Sequence, residues 1–224
     1  EWFIQGFLSY LQQHPIYSSN IAVPISISGG ITRYPEDQTT FSQLMKASIA
    51  TITNVREAGG DKIVSLSKAT HKALNRKALI EKRLLQALDQ KNLKVLYQPQ
   101  VDIYSGKITA VEALVRWEDE VIGVVSPDEL IPIAEETGLI NNIGSFMIEK
   151  ACEQALIWKK AGHNLKVAIN SSVREFRDKN MAKSILDMLA KTNCPANLIQ
   201  IEITEKFALE AEAATFITQQ MRKL

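Results

Sequence analysis

The sequence predicts an α/β protein whose larger part is an incomplete (β/α) barrel, and three observations carry that prediction. From Leu93 onward, short apolar runs alternate with helical periodicities, the pattern of parallel strands joined by crossover helices. Three of these runs hold an oxygen-bearing side chain at or near the end. They are Glu112 in Glu112-Ala113-Leu114-Val115-Arg116-Trp117, Asn170 in Val167-Ala168-Ile169-Asn170, and Glu202 in Ile201-Glu202-Ile203-Thr204-Glu205. Functional side chains at the carboxyl ends of several strands favour a barrel. The competing architecture, a doubly wound nucleotide fold, would usually show a glycine-rich first turn, and none is present. A complete barrel takes about 250 residues. The stretch from Leu93 to Leu224 supplies about half of that, hence an incomplete one.

Composition bounds the function classes. The chain has 224 residues, 46% of them hydrophobic, enough for a buried core. Its 26 basic and 25 acidic residues leave a net charge of +1. That balance gives no general pull toward nucleic acid polymers or anionic membranes. No apolar run is long enough to span a bilayer. The start at Glu1, without a signal peptide, suggests a piece of a longer cytoplasmic protein, which upstream segments could anchor to a membrane. Cys152 and Cys194, two and far apart, point to free thiols rather than a disulfide framework.

Three regions follow along the chain. Residues 1–67 form a small piece of mixed helices and strands. Trp2, Phe3, Phe7, Leu8 and Leu11 recur at helical spacing. Ile21–Ile27 is β-rich, with Ser28-Gly29-Gly30 as an interruption and Ile31–Tyr34 as a second strand. Phe41–Val55 is helical, and Lys62–Leu66 is a short strand. Residues 68–92 read as a polar linker helix with leucines on one side.

Residues 93–224 carry the strand–helix alternation. Leu93–Ile103 and Lys107–Val115 flank the hairpin signal Tyr104-Ser105-Gly106. Ser126-Pro127-Asp128-Glu129 combines an N-cap serine, a first-turn proline and a capping-box glutamate; that helix stops at Gly138. A helix over Asn142–Ala161, a strand over Leu165–Asn170, a helix over Asp178–Thr192, a strand over Leu198–Thr204 and a helix over Ala208–Leu224 complete the series.

On parallel neighbouring strands, Glu112, Asn170 and Glu202 would project from one rim. Carboxylate and amide oxygens are hard donors that suit Mg²⁺, Mn²⁺ or Ca²⁺. Salt-bridged structural roles are the alternative. Arg116 shares a strand face with Glu112 and could clamp a phosphate oxygen, or pair with Glu112 or Glu118. Gln98 could hydrogen-bond a polar ligand edge, or Gln98-Pro99 could simply kink an edge strand. Glu205 could support a neighbouring ligand or serve as an acid at a helix start. Asp119-Glu120 reads as a solvated loop, and His14, His71 and His163 show no metal-ligand spacing.

Several segments together resemble the EAL domain family. They are Leu96-Tyr97-Gln98-Pro99, Glu112 to Trp117, Ser126-Pro127, Ile131-Pro132-Ile133-Ala134-Glu135-Glu136-Thr137-Gly138, Ala168-Ile169-Asn170-Ser171-Ser172 and Glu202-Ile203-Thr204-Glu205. The resemblance covers about residues 79–224. It implies a modified, TIM-like (β/α)8 barrel that hydrolyses cyclic di-GMP to pGpG with Mg²⁺ or Mn²⁺, and a possible homodimer through that domain. Carried over residue by residue, it makes Glu112, Asn170 and Glu202 metal ligands and Glu112 and Glu205 catalytic. Gln98, Leu114 and Arg116 become contacts to the dinucleotide. The family continues into a strand with an Asp-Asp metal motif and a later lysine, beyond Leu224. Residues 1–224 alone are therefore expected to be inactive, and a non-hydrolysing cyclic di-GMP receptor is the alternative.

The front piece is similar to the C-terminal part of a GGDEF domain. The similarity rests on Ile25-Ser26-Ile27-Ser28-Gly29-Gly30-Ile31, Tyr34-Pro35-Glu36-Asp37, and Leu44 to Gly60. Ala47-Ser48 and Val55-Arg56 depart from that family's usual Ala-Asp and Ala-Lys, which implies a degenerate, non-cyclising domain.

Overall fold

The computed structural model describes residues 2–18, 21–23 and 26–203. The chain separates into two compact units, 1–78 and 79–224, with the division inside one helix. The expected helix over Ala208–Leu224 lies outside the described residues.

The first unit holds α1 (Trp2–Gln13), β1 (Ile16–Ser18), β2 (Ile21–Val23), β3 (Gly29–Ile31), α2 (Phe41–Glu57) and β4 (Ile63–Ser65). β1 and β2 pair antiparallel, a hairpin the sequence did not announce. β3 and β4 pair parallel. Here the expectation for Ser28-Gly29-Gly30 is corrected, because both glycines belong to the strand. A Cβ on Gly30 would stand 2.7 Å from Ser48 O and 2.9 Å from the Thr51 Cβ. The bare backbone thus lets α2 lie directly on β3, with Ala47, Thr51 and Val55 buried along the contact face.

α3 (Lys68–Asp89) leads into the second unit, where Ile80, Leu84 and Ala87 are buried. β5 (Lys94–Val101) and β6 (Ile108–Asp119) form the expected antiparallel hairpin. β7 (Gly123–Val125) pairs with the far end of β6. α4 (Pro127–Thr137) and α5 (Ile140–Lys160) cross over to β8 (Lys166–Ser171), which is parallel to β6. α6 (Val173–Arg177) and α7 (Met181–Thr192) then cross over to β9 (Ile199–Ile203), parallel to β8. The sheet order is β5-β6-β8-β9. The helix expected over Asp178–Thr192 is α7, and the short α6 before it was not anticipated.

Strand alternation splits the sheet into two sides. Val111, Ala113, Val115, Trp117, Val167 and Ile169 are buried in one core with α3, α4 and α5. Tyr97 fastens β5 to the same side: its hydroxyl donates to Lys150 O at 3.2 Å, and its ring meets Trp158 edge-on at 5.1 Å. Burial pushes that phenol up to about 12.

Asp119 corrects another expectation. It is 7% exposed rather than solvated. Its Oδ1 lies 2.6 Å from Arg83 Nε on α3 and accepts from the backbone N–H groups of Val121 and Ile122. A turn carboxylate thus ties the β6–β7 connection to α3. Cys152 and Cys194 are both free and buried. Burial pushes the Cys152 thiol up to about 12, which disfavours the thiolate.

Candidate functional site

The opposite side of the sheet carries the polar residues. Gln98 pairs in register with Glu112, Glu112 with Ala168, and Asn170 with Glu202. In-register partners point to the same side, so all five side chains share one face. Asn170 Nδ2 donates to Glu112 Oε1 at 2.5 Å, which ties the carboxyl end of β8 to the middle of β6. Ala168 between them is fully buried and small, and it leaves the Glu112 carboxylate room beside Asn170.

Glu202 Oε1 accepts from Gln200 Nε2 at 3.3 Å and from Gln100 Nε2 at 3.5 Å. Gln100 stands on β5 and Glu202 on β9, the two outer strands of the four. In a flat sheet these strands would be about 14 Å apart at the usual spacing. Their side chains meet only because the sheet curls strongly, with the polar face inside the curl. Both glutamines escaped the sequence reading. Period two from Gln98 and from Glu202 was the signal that places them on this face.

Leu114 and Arg116 sit two and four residues beyond Glu112 on β6, both half-buried. Arg116 forms no ion pair among the described residues, so neither expected pairing, with Glu112 or with Glu118, is made. Glu118 pairs instead with Lys94 at 3.4 Å. The Arg116 guanidinium donates through Nη1 to Val115 O at 2.8 Å. Together with Leu114 it lines a cavity of about 290 Å³, walled by Ile131 and Glu135 of α4, Gly144 of α5, and Ser172. The cavity is largely apolar with a few polar groups in its lining, the usual character of a small-molecule site. Glu205 lies outside the described residues.

Local sequence explains how the cavity walls are set. Ser126 Oγ accepts from Glu129 N at 3.3 Å, and Glu129 Oε2 accepts from Ser126 N at 3.5 Å, so α4 starts where its capping box dictates. It ends at Gly138, whose φ of 81° is the left-handed cap that glycine accepts most easily. Arg174 donates to Glu135 O and so pins the last turn of α4 to α6. A second capping box joins Ser172 to Glu175. Burial pushes the Glu175 carboxyl up, against the hydrogen bonds from Ser172 and Ser171, which lower it. Glu135 and Glu175 were not singled out from sequence. The Ser172-Val173-Arg174-Glu175 signature would have found the latter.

As a donor set, the described residues offer two carboxylates and one amide. Among the described residues, no three His, Cys, Asp or Glu side chains cluster as a metal site. Two carboxylates, one amide oxygen and waters nevertheless match the hard, incompletely protein-bound shell that Mg²⁺ prefers.

A family model described as the EAL domain matches residues 81–224. The chain is 31% identical over 209 residues to the bifunctional diguanylate cyclase/cyclic di-GMP phosphodiesterase MucR of Pseudomonas aeruginosa, covering 92% of this chain and 30% of that protein. It is 28% identical over 205 residues to the cyclic di-GMP phosphodiesterase PdeR of Escherichia coli, covering 91% of this chain and 31% of that protein. The chain thus spans less than a third of these curated relatives. A solved structure described as the PaMucR phosphodiesterase in complex with c-di-GMP superposes with a TM-score of 0.60 at 30% identity, over 65% of this chain and 60% of that one. The FimX EAL domain of Xanthomonas citri, solved with c-diGMP, shares the fold with a TM-score of 0.56 at 22% identity, over 66% of this chain and 58% of that one. A mixed α/β unit with a polar face on parallel strands and a match across residues 81–224 establish that the chain belongs to the EAL domain family.

Proposed function

We propose that the second unit is part of a metal-dependent cyclic di-GMP phosphodiesterase, active in the full-length protein, and that its sheet is one side of an incomplete TIM-like (β/α)8 barrel. The observation that carries this reading is the convergence of Glu112, Asn170 and Glu202 on one face of three adjacent parallel strands, with Asn170 and Glu112 2.5 Å apart. The curl measured by the Gln100–Glu202 contact supports the barrel.

In this reading Glu112, Asn170 and Glu202 hold Mg²⁺ or Mn²⁺, with Glu205 supporting them. A metal held there would supply activation of a water for attack on a phosphodiester and charge stabilisation for the leaving oxygen. The chain's own residues bind and orient. Arg116, free of an ion pair among the described residues, turns its remaining donors to a phosphate oxygen. Leu114 and the cavity beside it take an apolar, planar part of the dinucleotide, and Gln98 hydrogen-bonds a polar edge from β5.

The first unit is proposed to be a degenerate GGDEF-like piece, residues 1–67, followed by a linker helix over 68–92. The MucR match supports this, since its 209 residues exceed the span of the family model and reach into the first unit.

The test is hydrolysis of cyclic di-GMP to pGpG by the full-length protein in Mg²⁺ or Mn²⁺, followed by chromatography. Glu112→Ala is expected to lower turnover about a thousandfold, roughly 4 kcal/mol of transition-state stabilisation. Equal turnover in both proteins sinks the ligand assignment. Tight cyclic di-GMP binding without turnover in either metal would establish a receptor instead.

A further inference from the structure

The junction between β8 and α6 contains a carboxylate that none of the proposed roles uses. Asn170 is followed by Ser171, the last residue of β8, and by Ser172, the N-cap of α6, where the chain turns out of the sheet. Glu175 grips that turn from three residues downstream. Its Oε2 accepts from Ser172 N at 2.7 Å and from Ser171 Oγ at 3.5 Å, while Glu175 N donates to Ser172 Oγ at 3.3 Å. The carboxylate is seated in a wall shared by two cavities, one of them lined by Arg116 and the other by Asp178, and Asn170 and Gly144 belong to that same wall. The seat exists because residue 144 has no side chain. A Cβ there would collide with Glu175 Oε1 and stand 3.1 Å from its Cδ. A glycine in the second turn of α5, where alanine is the better helix former, is thereby explained by what lies opposite it.

We infer that Glu175 is a positioning residue, seated by Gly144, that fixes the β8–α6 turn and thereby holds the Asn170 amide against Glu112. An ordinary capping box would stabilise α6 and nothing more. This one also anchors the two residues directly after Asn170, and it lies half-buried against a second helix. The amide of Asn170 swings with the backbone that carries it, so a loosened turn misplaces a donor that must meet Glu112. The catalytic consequence rests on the phosphodiesterase reading; the structural consequence does not.

The test uses the full-length protein and three variants, with Mn²⁺ affinity by calorimetry, turnover of cyclic di-GMP, and amide hydrogen exchange over residues 168–176. Glu175→Ala is expected to weaken Mn²⁺ about tenfold or more, the usual cost of losing a partner that orients a ligand. It should speed exchange at Ser172 and lower kcat at limiting metal while KM for the dinucleotide stays within about twofold. Glu175→Gln keeps an acceptor oxygen and should hold Mn²⁺ affinity within about threefold of the parent. Gly144→Ala displaces the carboxylate from the other helix and should reproduce Glu175→Ala. Unchanged Mn²⁺ affinity and exchange in Glu175→Ala, a Gln variant as weak as the Ala variant, or a Gly144→Ala protein identical to the parent would each overturn the proposal. Altered exchange and Mn²⁺ affinity in a protein that never hydrolyses cyclic di-GMP would uphold it and sink the phosphodiesterase reading. Normal turnover at limiting metal with all three variants would do the reverse.

Discussion

The two sides of β6 do different work with alternate letters of one segment. Val111, Ala113, Val115 and Trp117 are between 1% and 8% exposed and lock the strand against helices. Glu112, Leu114 and Arg116, interleaved with them, are only half-buried and face the polar side of the curl. A slip of one residue in the pairing with β5 or β8 would exchange the two sets and bury a carboxylate and a guanidinium in the core. The apolar side therefore specifies the register, and the register aims the polar side. Precision in the site is bought by residues that never touch it.

Substitutions on the two sides should separate stability from chemistry, and the largest effect belongs to the apolar side. Trp117→Ala removes the largest fully buried side chain and should cost about 3–5 kcal/mol in denaturant unfolding. Trp117→Phe should cost far less, because the indole Nε1 finds no hydrogen-bond partner among the described residues and its loss leaves nothing unpaired. An equal loss for both would show that the indole nitrogen matters after all.

Arg83→Ala comes next, at about 2 kcal/mol, below the usual cost of breaking a buried pair because Arg83 is itself 29% exposed. This effect should depend on pH in one direction. Burial pushes the Asp119 carboxyl up, but Arg83 and the N–H groups of Val121 and Ile122 outweigh it and hold the group below the ordinary carboxylate range. A depressed acid contributes stability above its unfolded pKa of about 4, and loses it as pH falls through the folded value. The gap between the parent and Arg83→Ala should therefore close in acid. A gap that is constant down to pH 2 would contradict the ion pair. Smallest is Asn170→Ala on the polar side: the side chain is exposed, so unfolding should shift by about 0.5 kcal/mol or less while turnover collapses. A stability loss as large as that of Arg83→Ala would erase the contrast between the two sides.

What the letters revealed and what they hid divide along the same line between local and distant causes. The start of α4 was legible because the Ser126–Glu129 box is complete within four residues. The polar face was legible because alternation within a strand is local, and so was the hairpin between β5 and β6. Asp119 was misread because its partner, Arg83, lies on a helix far upstream, and only the fold brings them to 2.6 Å. Gly30 was misread as a break because the reason for its missing side chain is α2, packed against it from elsewhere in the chain. α6 was overlooked although its box is local. Five residues carry too little periodicity to stand out beside α7.

The hydrogen bond between Gln100 and Glu202 joins residues 102 positions apart. Contacts of such long separation form late, after the loop-closure entropy of the intervening chain has been overcome. During synthesis, β5, β6 and β8 can emerge and begin to pair while β9 is still inside the ribosome. The Glu202 carboxylate joins the other donors only after most of residues 79–224 has been made. In the proposed metal-dependent enzyme, completion of the donor set would thus be a late event of biosynthesis, timed by the position of one strand in the chain.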